Sequence, residues 1–281
     1  MPNLTITGKT RVFGTLAHPI DHVRVPSVMN PLYEKHGIDA VMVPIHVLPE
    51  DLEDAVRGMR ADRSLRGLCV TVPHKVTIAS FCEEVGAGGR RVGAGNAVRF
   101  DDERRMHGDN FDGQGYVAGM KAGGFDFAGK HVLQLGAGGA GMAIAFAVAE
   151  AGAASLSIAN RTVARGEDLA QRVHKAFPGC ITRGVAADAD PAGYDVAINT
   201  TSLGLHAGDP LPVDVGRLDP GTVVSEIIMI PEETALLKAA RARGHAVHYG
   251  RPMLEEQIKL IAAFIGTPFP SFEACSAGTS G

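Results

Sequence analysis

The chain has 281 residues, of which 45% are apolar, 21% charged and only 5% aromatic, a composition that excludes a collagen-like, low-complexity or disordered protein. At about 100–200 residues per domain, the length predicts two domains, each able to bury its own core. Lys plus Arg number 27 against 31 Asp plus Glu, a net charge of −4 with no long run of one sign, so nucleic acid and anionic membrane are excluded as partners and a small molecule is expected.

Short β-rich runs alternate with helical patterns almost from end to end, the signature of βαβ units and mostly parallel sheets in an α/β fold. Arg11–Phe13, Ala40–Ile45 and Leu65–Val72 read as strands. Pro26–His36 and Pro49–Met59 read as helices, the second with Pro at its start and acidic residues in its first turn. A short helix is predicted after Lys75. Beyond it the Gly-rich stretch Gly86–Gly95 leads to a hairpin of Ala97–Phe100 with Arg104–Gly108. A boundary between domains is expected near Gly108–Asp126.

A second series opens with the strand His131–Leu135, the turn Gly136–Gly141 and the Ala-rich helix Ala140–Ala151. It continues through the strand Ser155–Ala159, the helix Val163–Phe177, and the strands Val196–Asn199 and Val223–Ile227. The helix Pro231–Arg243 comes next, stopped by Gly244. A last helix, Met253–Ile265, can cross back to the first domain, and Phe269–Gly281 reads as a frayed tail.

The most specific local signal is Gly136-Ala137-Gly138-Gly139-Ala140-Gly141, a GxGxxG between a predicted strand and a predicted helix. Gly136 allows a tight turn, Gly138 lets the backbone approach a pyrophosphate, and Gly141 lets helix and strand pack closely. The helix start, with Gly139 and Ala140, then presents free N–H groups to the anion. A glycine turn without a ligand is the blander alternative, but the required context is present.

The end of the next strand selects the dinucleotide. An NAD site places Asp or Glu there, whereas this chain has Asn160, Arg161 and Thr162, with Arg165 one turn into the next helix. Two guanidiniums and a hydroxyl form a clasp for a 2′-phosphate, and cations are otherwise disfavoured at a helix N-terminus. NADP is the expected cofactor.

Upstream, Val70-Thr71-Val72-Pro73-His74-Lys75 ends a strand and places Lys75 in the first turn of the next helix. There the helix dipole opposes an ammonium ion, one way to ready a lysine for acid–base work, although a surface lysine in a first turn is commonly just solvated. Asp112, in Gly108-Asp109-Asn110-Phe111-Asp112-Gly113, can act as the N-cap of a nearby helix or, beside a cation, as a functional carboxylate.

Together these segments resemble the shikimate/quinate dehydrogenase family over nearly the whole chain. The matches run in order from Pro19-Ile20 to Asn30, through Val70–Lys75, Gly93-Ala94-Gly95-Asn96 and Asn110–Gly113, to the glycine turn with Asn160-Arg161-Thr162. Asn199-Thr200-Thr201-Ser202-Leu203-Gly204 and Gly250-Arg251-Pro252-Met253-Leu254, ending at Gln257, complete them. The resemblance implies an NADP-dependent alcohol dehydrogenase with its active site between two domains. Residues 1–112 would bind substrate and residues 113–249 would form a Rossmann domain for NADP. Residues 250–281 would supply a helix returning to the first domain, then a tail.

By the same resemblance, Lys75 transfers the proton, Asp112 is its paired carboxylate, and Thr71, Asn96 and Gln257 hold substrate hydroxyls. Thr201 and Gly250 join the glycine turn on the cofactor. Two serines that grip the substrate carboxylate in the family correspond here to Val23 and Val25, with Arg24 between them. If this segment is extended, alternation turns Arg24 away from the face shared by the two valines. A threonine and a tyrosine of the family pattern correspond to Phe111 and Met229. The expected substrate is therefore a shikimate-like cyclic hydroxy acid, with quinate, an amino analogue or a less polar alcohol as alternatives. A non-catalytic NADP sensor is the rival from another class, and it has no use for both Lys75 and Asp112.

Other signals carry less. Gly8-Lys9-Thr10 imitates the end of a P-loop but lacks the earlier glycine and a preceding strand. His18/His22 and His245/His248 have neither an HExxH pattern nor cysteine partners, so no metal is expected. Cys69, Cys82, Cys180 and Cys275 are scattered and read as reduced thiols. With no secretory pattern at the N-terminus and no apolar run longer than Met142–Ala149, a cytoplasmic monomer or homodimer is expected.

Overall fold

A computed structural model describes residues 5–21 and 23–271. Two compact units divide the chain: residues up to Phe111 together with those from Ile258 onward form one, and Asp112–Gln257 the other.

The first unit contains β1 (Arg11–Ala17), α1 (Val25–Lys35), β2 (Ala40–His46), α2 (Leu52–Ala61), β3 (Leu65–Val70), α3 (Lys75–Ser80), β4 (Glu84–Val85), α4 (Ala87–Val92), β5 (Ala97–Phe100) and β6 (Met106–Asp109). Its six strands are ordered β2-β1-β3-β5-β6-β4. β1 is parallel to β2 and β3, whereas β5 is antiparallel to both β3 and β6. The interior strand β1 is buried on both faces from Phe13 to Ala17, as expected of a parallel strand covered on both sides. It runs to Ala17, four residues past the predicted end. A Cβ at Gly14 would lie 2.3 Å from Ile45 Cδ1 and 2.9 Å from Leu68 Cδ2, so any larger residue there would push both side chains aside. Leu16, Leu52, Val56, Leu68, Ile78 and Met106 meet in its core.

The second unit contains α5 (Asp112–Ala122), β7 (His131–Leu135), α6 (Gly139–Glu150), β8 (Ser155–Asn160), α7 (Val163–Ala176), β9 (Ile181–Ala186), β10 (Val196–Asn199), β11 (Val223–Glu226), α8 (Ala235–Ala242) and β12 (Val247–His248), followed by the shared helix α9 (Arg251–Phe264). All strands are parallel in the order β12-β11-β10-β7-β8-β9. Renumbered from β7, this is the doubly wound order 3-2-1-4-5-6, with the switch point between β7 and β10.

The division between Phe111 and Asp112 falls inside the expected boundary Gly108–Asp126. α5 starts there although its glycines lower helix propensity. Packing requires them: a Cβ on Gly113 would lie 2.1 Å from the Ala143 carbonyl oxygen, and one on Gly119 2.8 Å from Pro252. α8 starts at Ala235, not Pro231, with Thr234 as its N-cap accepting from the Leu237 N–H. β9 has a half-exposed edge pattern too weak to predict from sequence. Val25 opens α1 and Arg24 has helical dihedrals of −106° and −17°. The segment is thus not extended, successive side chains turn by about 100°, and the alternation argument for Arg24 does not apply.

The hairpin of β5 and β6 is tied down by Arg104, which is buried and lies at φ +66°. Its guanidinium donates to the carbonyls of Met59, Arg60 and Leu65 at 2.6, 3.0 and 2.8 Å and lies 4.2 Å from the Phe100 ring centroid. Arg104→Met leaves three carbonyls without donors and is expected to cost about 3 kcal/mol or more. In a thermal melt this should lower Tm by roughly 6–12 °C, and Arg104→Lys should not restore it, since one ammonium cannot serve three diverging acceptors. An unchanged Tm would contradict this role.

Candidate functional site

In the second unit, the turn after β7 is built by close contacts. Gly136 lies at φ +104°, and its N–H donates to the Ala159 carbonyl at 2.7 Å. Thr200 Oγ1 donates to the Leu135 and Gly136 carbonyls at 2.8 and 3.2 Å. Buried Gln134 donates through Nε2 to the Gly136 and Gly141 carbonyls, both at 2.9 Å. A Cβ on Gly141 would stand 2.6 Å from Thr200 Oγ1, which explains the third glycine of the motif.

Gly138 and Gly139 differ. A Cβ on either would meet nothing within 4 Å, and Gly138 has an ordinary φ of −81°. Neither chain packing nor conformation requires glycine at these two positions. They leave the backbone open at the N-terminus of the 12-residue α6, the arrangement that suits close approach of an anion.

Asn160 ends β8 and accepts from the Ala137 N–H through Oδ1 at 3.2 Å, while its Nδ2 donates to the Thr162 carbonyl at 2.8 Å. Thr162 caps α7 without a side-chain hydrogen bond. Arg161 and Arg165 are exposed, and neither guanidinium is paired among the described residues. The open turn, its helix N-terminus and these two cations fit a dinucleotide carrying a 2′-phosphate. Thr201 Oγ1 is instead spent within its own turn, donating to Asn199 Oδ1 at 2.7 Å. Gly250 has a packing reason of its own, since a Cβ would lie 2.5 Å from the Ile228 carbonyl oxygen.

The structure brings together Asp112 and Gln257, two residues that the sequence points to separately. Asp112 is the first residue of α5, is buried, and accepts from Gln257 Nε2. Gly115 permits this pairing, because a Cβ there would lie 2.7 Å from that of Gln257. One feature of this unit that sequence reading missed is Glu226, fully buried at the end of β11. It accepts from Asn199 Nδ2, from the N–H groups of Ile227 and Ile228, and from Thr234 Oγ1. Burial raises its carboxyl pKa against these donors. The available signal was an acid inside the apolar run Val223–Ile228.

In the first unit, the predicted substrate residues gather beyond the carboxyl end of β3, where open α/β sheets bind ligands. The Thr71 N–H donates to the Leu16 carbonyl at 3.0 Å, and the Thr71 carbonyl accepts from the His74 N–H at 3.0 Å. Buried His74 donates through Nε2 to the Val47 carbonyl at 2.9 Å, and burial lowers its pKa. It is a neutral anchor for the turn. Lys75 is half-buried and opens α3, its carbonyl accepting from the Gly95 N–H at 2.7 Å. The Val70 N–H donates to the Asn96 carbonyl at 2.8 Å, and Asn96 Oδ1 accepts from the Phe111 N–H at 3.0 Å. Phe111 is a core residue, its ring 5.3 Å from that of Phe264. Val23 is half-buried and Arg24 exposed.

The histidines have other partners. His18 Nδ1 lies 2.8 Å from His46 Nε2, and His22 is outside the described residues. His245 donates to the Thr222 carbonyl and His248 lies 3.4 Å from Ser225 Oγ. Among the described residues no cluster of three or more His, Cys, Asp or Glu could hold a metal ion, and no helix is long and apolar enough to cross a membrane. Cys69, Cys82 and Cys180 are free thiols, raised in pKa by burial, and Cys275 lies outside the described residues.

Comparison with known proteins gives two family matches. Residues 15–98 match the shikimate dehydrogenase substrate binding domain, and residues 117–183 match shikimate / quinate 5-dehydrogenase. A shikimate dehydrogenase (NADP(+)) of Rubrobacter xylanophilus is 38% identical over 256 residues, covering 89% of this chain and 88% of its own. The structure of shikimate 5-dehydrogenase from Listeria monocytogenes, in complex with shikimate and NAD, superposes with a TM-score of 0.88 at 29% identity, covering 94% of this chain and 95% of that one. A 5-ketofructose reductase of Gluconobacter superposes with a TM-score of 0.85 at 31% identity, covering 92% and 93%.

The two kinds of glycine should separate by experiment. Gly138→Ala should leave Tm within about 2 °C of the parent but weaken NADPH binding by about tenfold or more in a fluorescence titration. Gly141→Ala should lower Tm by several degrees, since overpacking costs roughly 1–3 kcal/mol. Loss of Tm in Gly138→Ala with NADPH affinity intact would contradict this division.

Proposed function

Since the chain belongs to the shikimate/quinate dehydrogenase family, NADP-dependent oxidoreductases of CH–OH groups, we propose that it interconverts a secondary alcohol and a ketone on a shikimate-like cyclic hydroxy acid. The observation that carries this reading is the open backbone of Gly138 and Gly139 beside unpaired Arg161 and Arg165. NADP(H), when bound, accepts or supplies the hydride. Gly136, Gly138, Gly139, Ala140 and Gly141 would hold its pyrophosphate, and Asn160, Arg161, Thr162 and Arg165 its phosphorylated ribose, with Thr201 and Gly250 completing that site.

The chain's own chemistry is the proton. Oxidising a secondary alcohol releases one as the hydride leaves, and Lys75 is the group we assign to take it, with Asp112 supporting the ammonium charge. Thr71, Asn96 and Gln257 would hold substrate hydroxyls. Residues 1–112 act as the substrate domain, residues 113–249 as the NADP domain, and the helix within residues 250–281 returns to the first. We read the enzyme as a cytoplasmic monomer or homodimer, in keeping with its charge balance and free thiols.

Val23 and Val25 favour a second reading. Two isopropyl groups give a carboxylate no donors, and desolvating one against them is costly. A neutral polyol or keto sugar needs no such grip, and the name of the Gluconobacter relative describes an uncharged substrate.

Arg161→Ala should weaken NADPH by about tenfold to a hundredfold and NADH far less, the loss of one charge-assisted contact to the 2′-phosphate. Equal losses for both cofactors would contradict the assignment. Lys75→Ala should lower kcat by roughly 10²–10⁴ with NADPH affinity intact, on whichever of shikimate, quinate or 5-ketofructose the parent enzyme turns over best. Retained turnover in that variant would remove Lys75 from the reaction.

A further inference from the structure

At the amino-terminal end of the first sheet the strand register slips. Val12 of β1 pairs with Leu65 of β3, but Phe13 pairs with Gly67. Arg66 is therefore the extra residue of a bulge, rare between parallel strands, and bulges re-aim side chains. Gly67 is fixed by packing, since a Cβ would lie 2.8 Å from the Val98 carbonyl oxygen and 3.3 Å from Ile265.

Arg66 borders a cavity of about 480 Å³, within the size range of small-molecule sites. Arg11 of β1 and Arg99 of β5 line it too, together with Phe13, Phe100 and Phe264. The three arginines come from three neighbouring strands, and among the described residues no carboxylate lines the cavity. It lies at the end of the sheet opposite Thr71 and Lys75.

Each guanidinium carries five N–H donors, and most of that capacity is unspent. Arg11 donates to the Gly266 carbonyl at 2.8 Å. Arg99 lies over the Phe264 ring, 5.7 Å from its centroid. Among the described residues Arg66 pairs with Asp102, at 3.7 Å on a side chain 97% exposed, a pairing that solvent screens. Three like charges with one solvent-screened carboxylate beside them repel one another, and an oxyanion held by such forks would offset that cost. Phe13 and Phe100 are buried, so the half-buried Phe264 ring supplies the apolar wall suited to a flat ring.

We propose that this cavity is a second ligand site, for a small aromatic oxyanion: a ring bearing a phosphate or a carboxylate. It is independent of the reaction assigned above. The test is calorimetric titration of the full-length enzyme, saturated with NADPH so that the 2′-phosphate clasp is filled. Phenyl phosphate and benzoate are the probes, with inorganic phosphate and phenol as the separated halves. One aromatic oxyanion should bind per chain, more tightly than either half. Arg66→Met and Arg99→Met should each weaken it about tenfold to a hundredfold, whereas Arg63→Met, outside the lining, should leave it unchanged. Half-exposed Arg66 keeps the test decisive should Arg99→Met fail to fold. Absence of saturable binding, binding indifferent to Arg66→Met, or equal affinity for inorganic phosphate and phenyl phosphate would overturn the proposal.

Discussion

Two carbonyl oxygens, those of Leu135 and Gly136, are gripped by Thr200 and Gln134, and the geometry of the glycine turn in the second unit depends on that grip. It draws the turn after β7 against the turn after β10, at the switch point of the doubly wound sheet. With the turn held this tightly, α6 starts so close to β7 that only glycine fits at position 141. Asn160 fastens the same turn to the end of β8, which sets Arg161 beside it. The glycines that face outward have no such packing demand, and they are the ones proposed to meet the cofactor.

The first sheet uses its two ends differently. At the carboxyl ends of β1 and β3, polar side chains are locked by the backbone: His74 onto Val47 and Asn96 onto Phe111. Locked rotamers would suit the role proposed for Lys75 and Thr71, which need fixed positions. At the amino ends, Arg104 is satisfied by three carbonyls and has a structural role. Arg11, Arg66 and Arg99 are not satisfied in this way, and that contrast separates a buried structural cation from a cluster available to a ligand.

Much of this is legible in the sequence where one local pattern and one physical demand coincide. β7 and β10 are bounded as their apolar runs predict, and Gly244 stops α8 at φ +84°. Reading fails where tertiary contact overrides propensity. α5 is glycine-rich because α6 and α9 press against it, and Gly14 sits inside β1, where a larger residue would push Ile45 and Leu68 aside. Alternation misplaces Arg24, because the helix that starts there abolishes it. Glu226 leaves only the faint signal of an acid inside an apolar run, and the bulge at Arg66 leaves none, since it arises from strand neighbours distant in sequence.

The central claim is hydride transfer between NADP(H) and a secondary carbinol carbon. Single-turnover reduction with NADPH deuterated on one face of nicotinamide C4 tests it most directly, with 3-dehydroshikimate and 5-ketofructose offered in turn. The account predicts that deuterium from one face only appears on the new carbinol carbon of the accepted substrate, with a primary isotope effect on the transfer step. NADPH that binds tightly yet passes no deuterium to either ketone would contradict it.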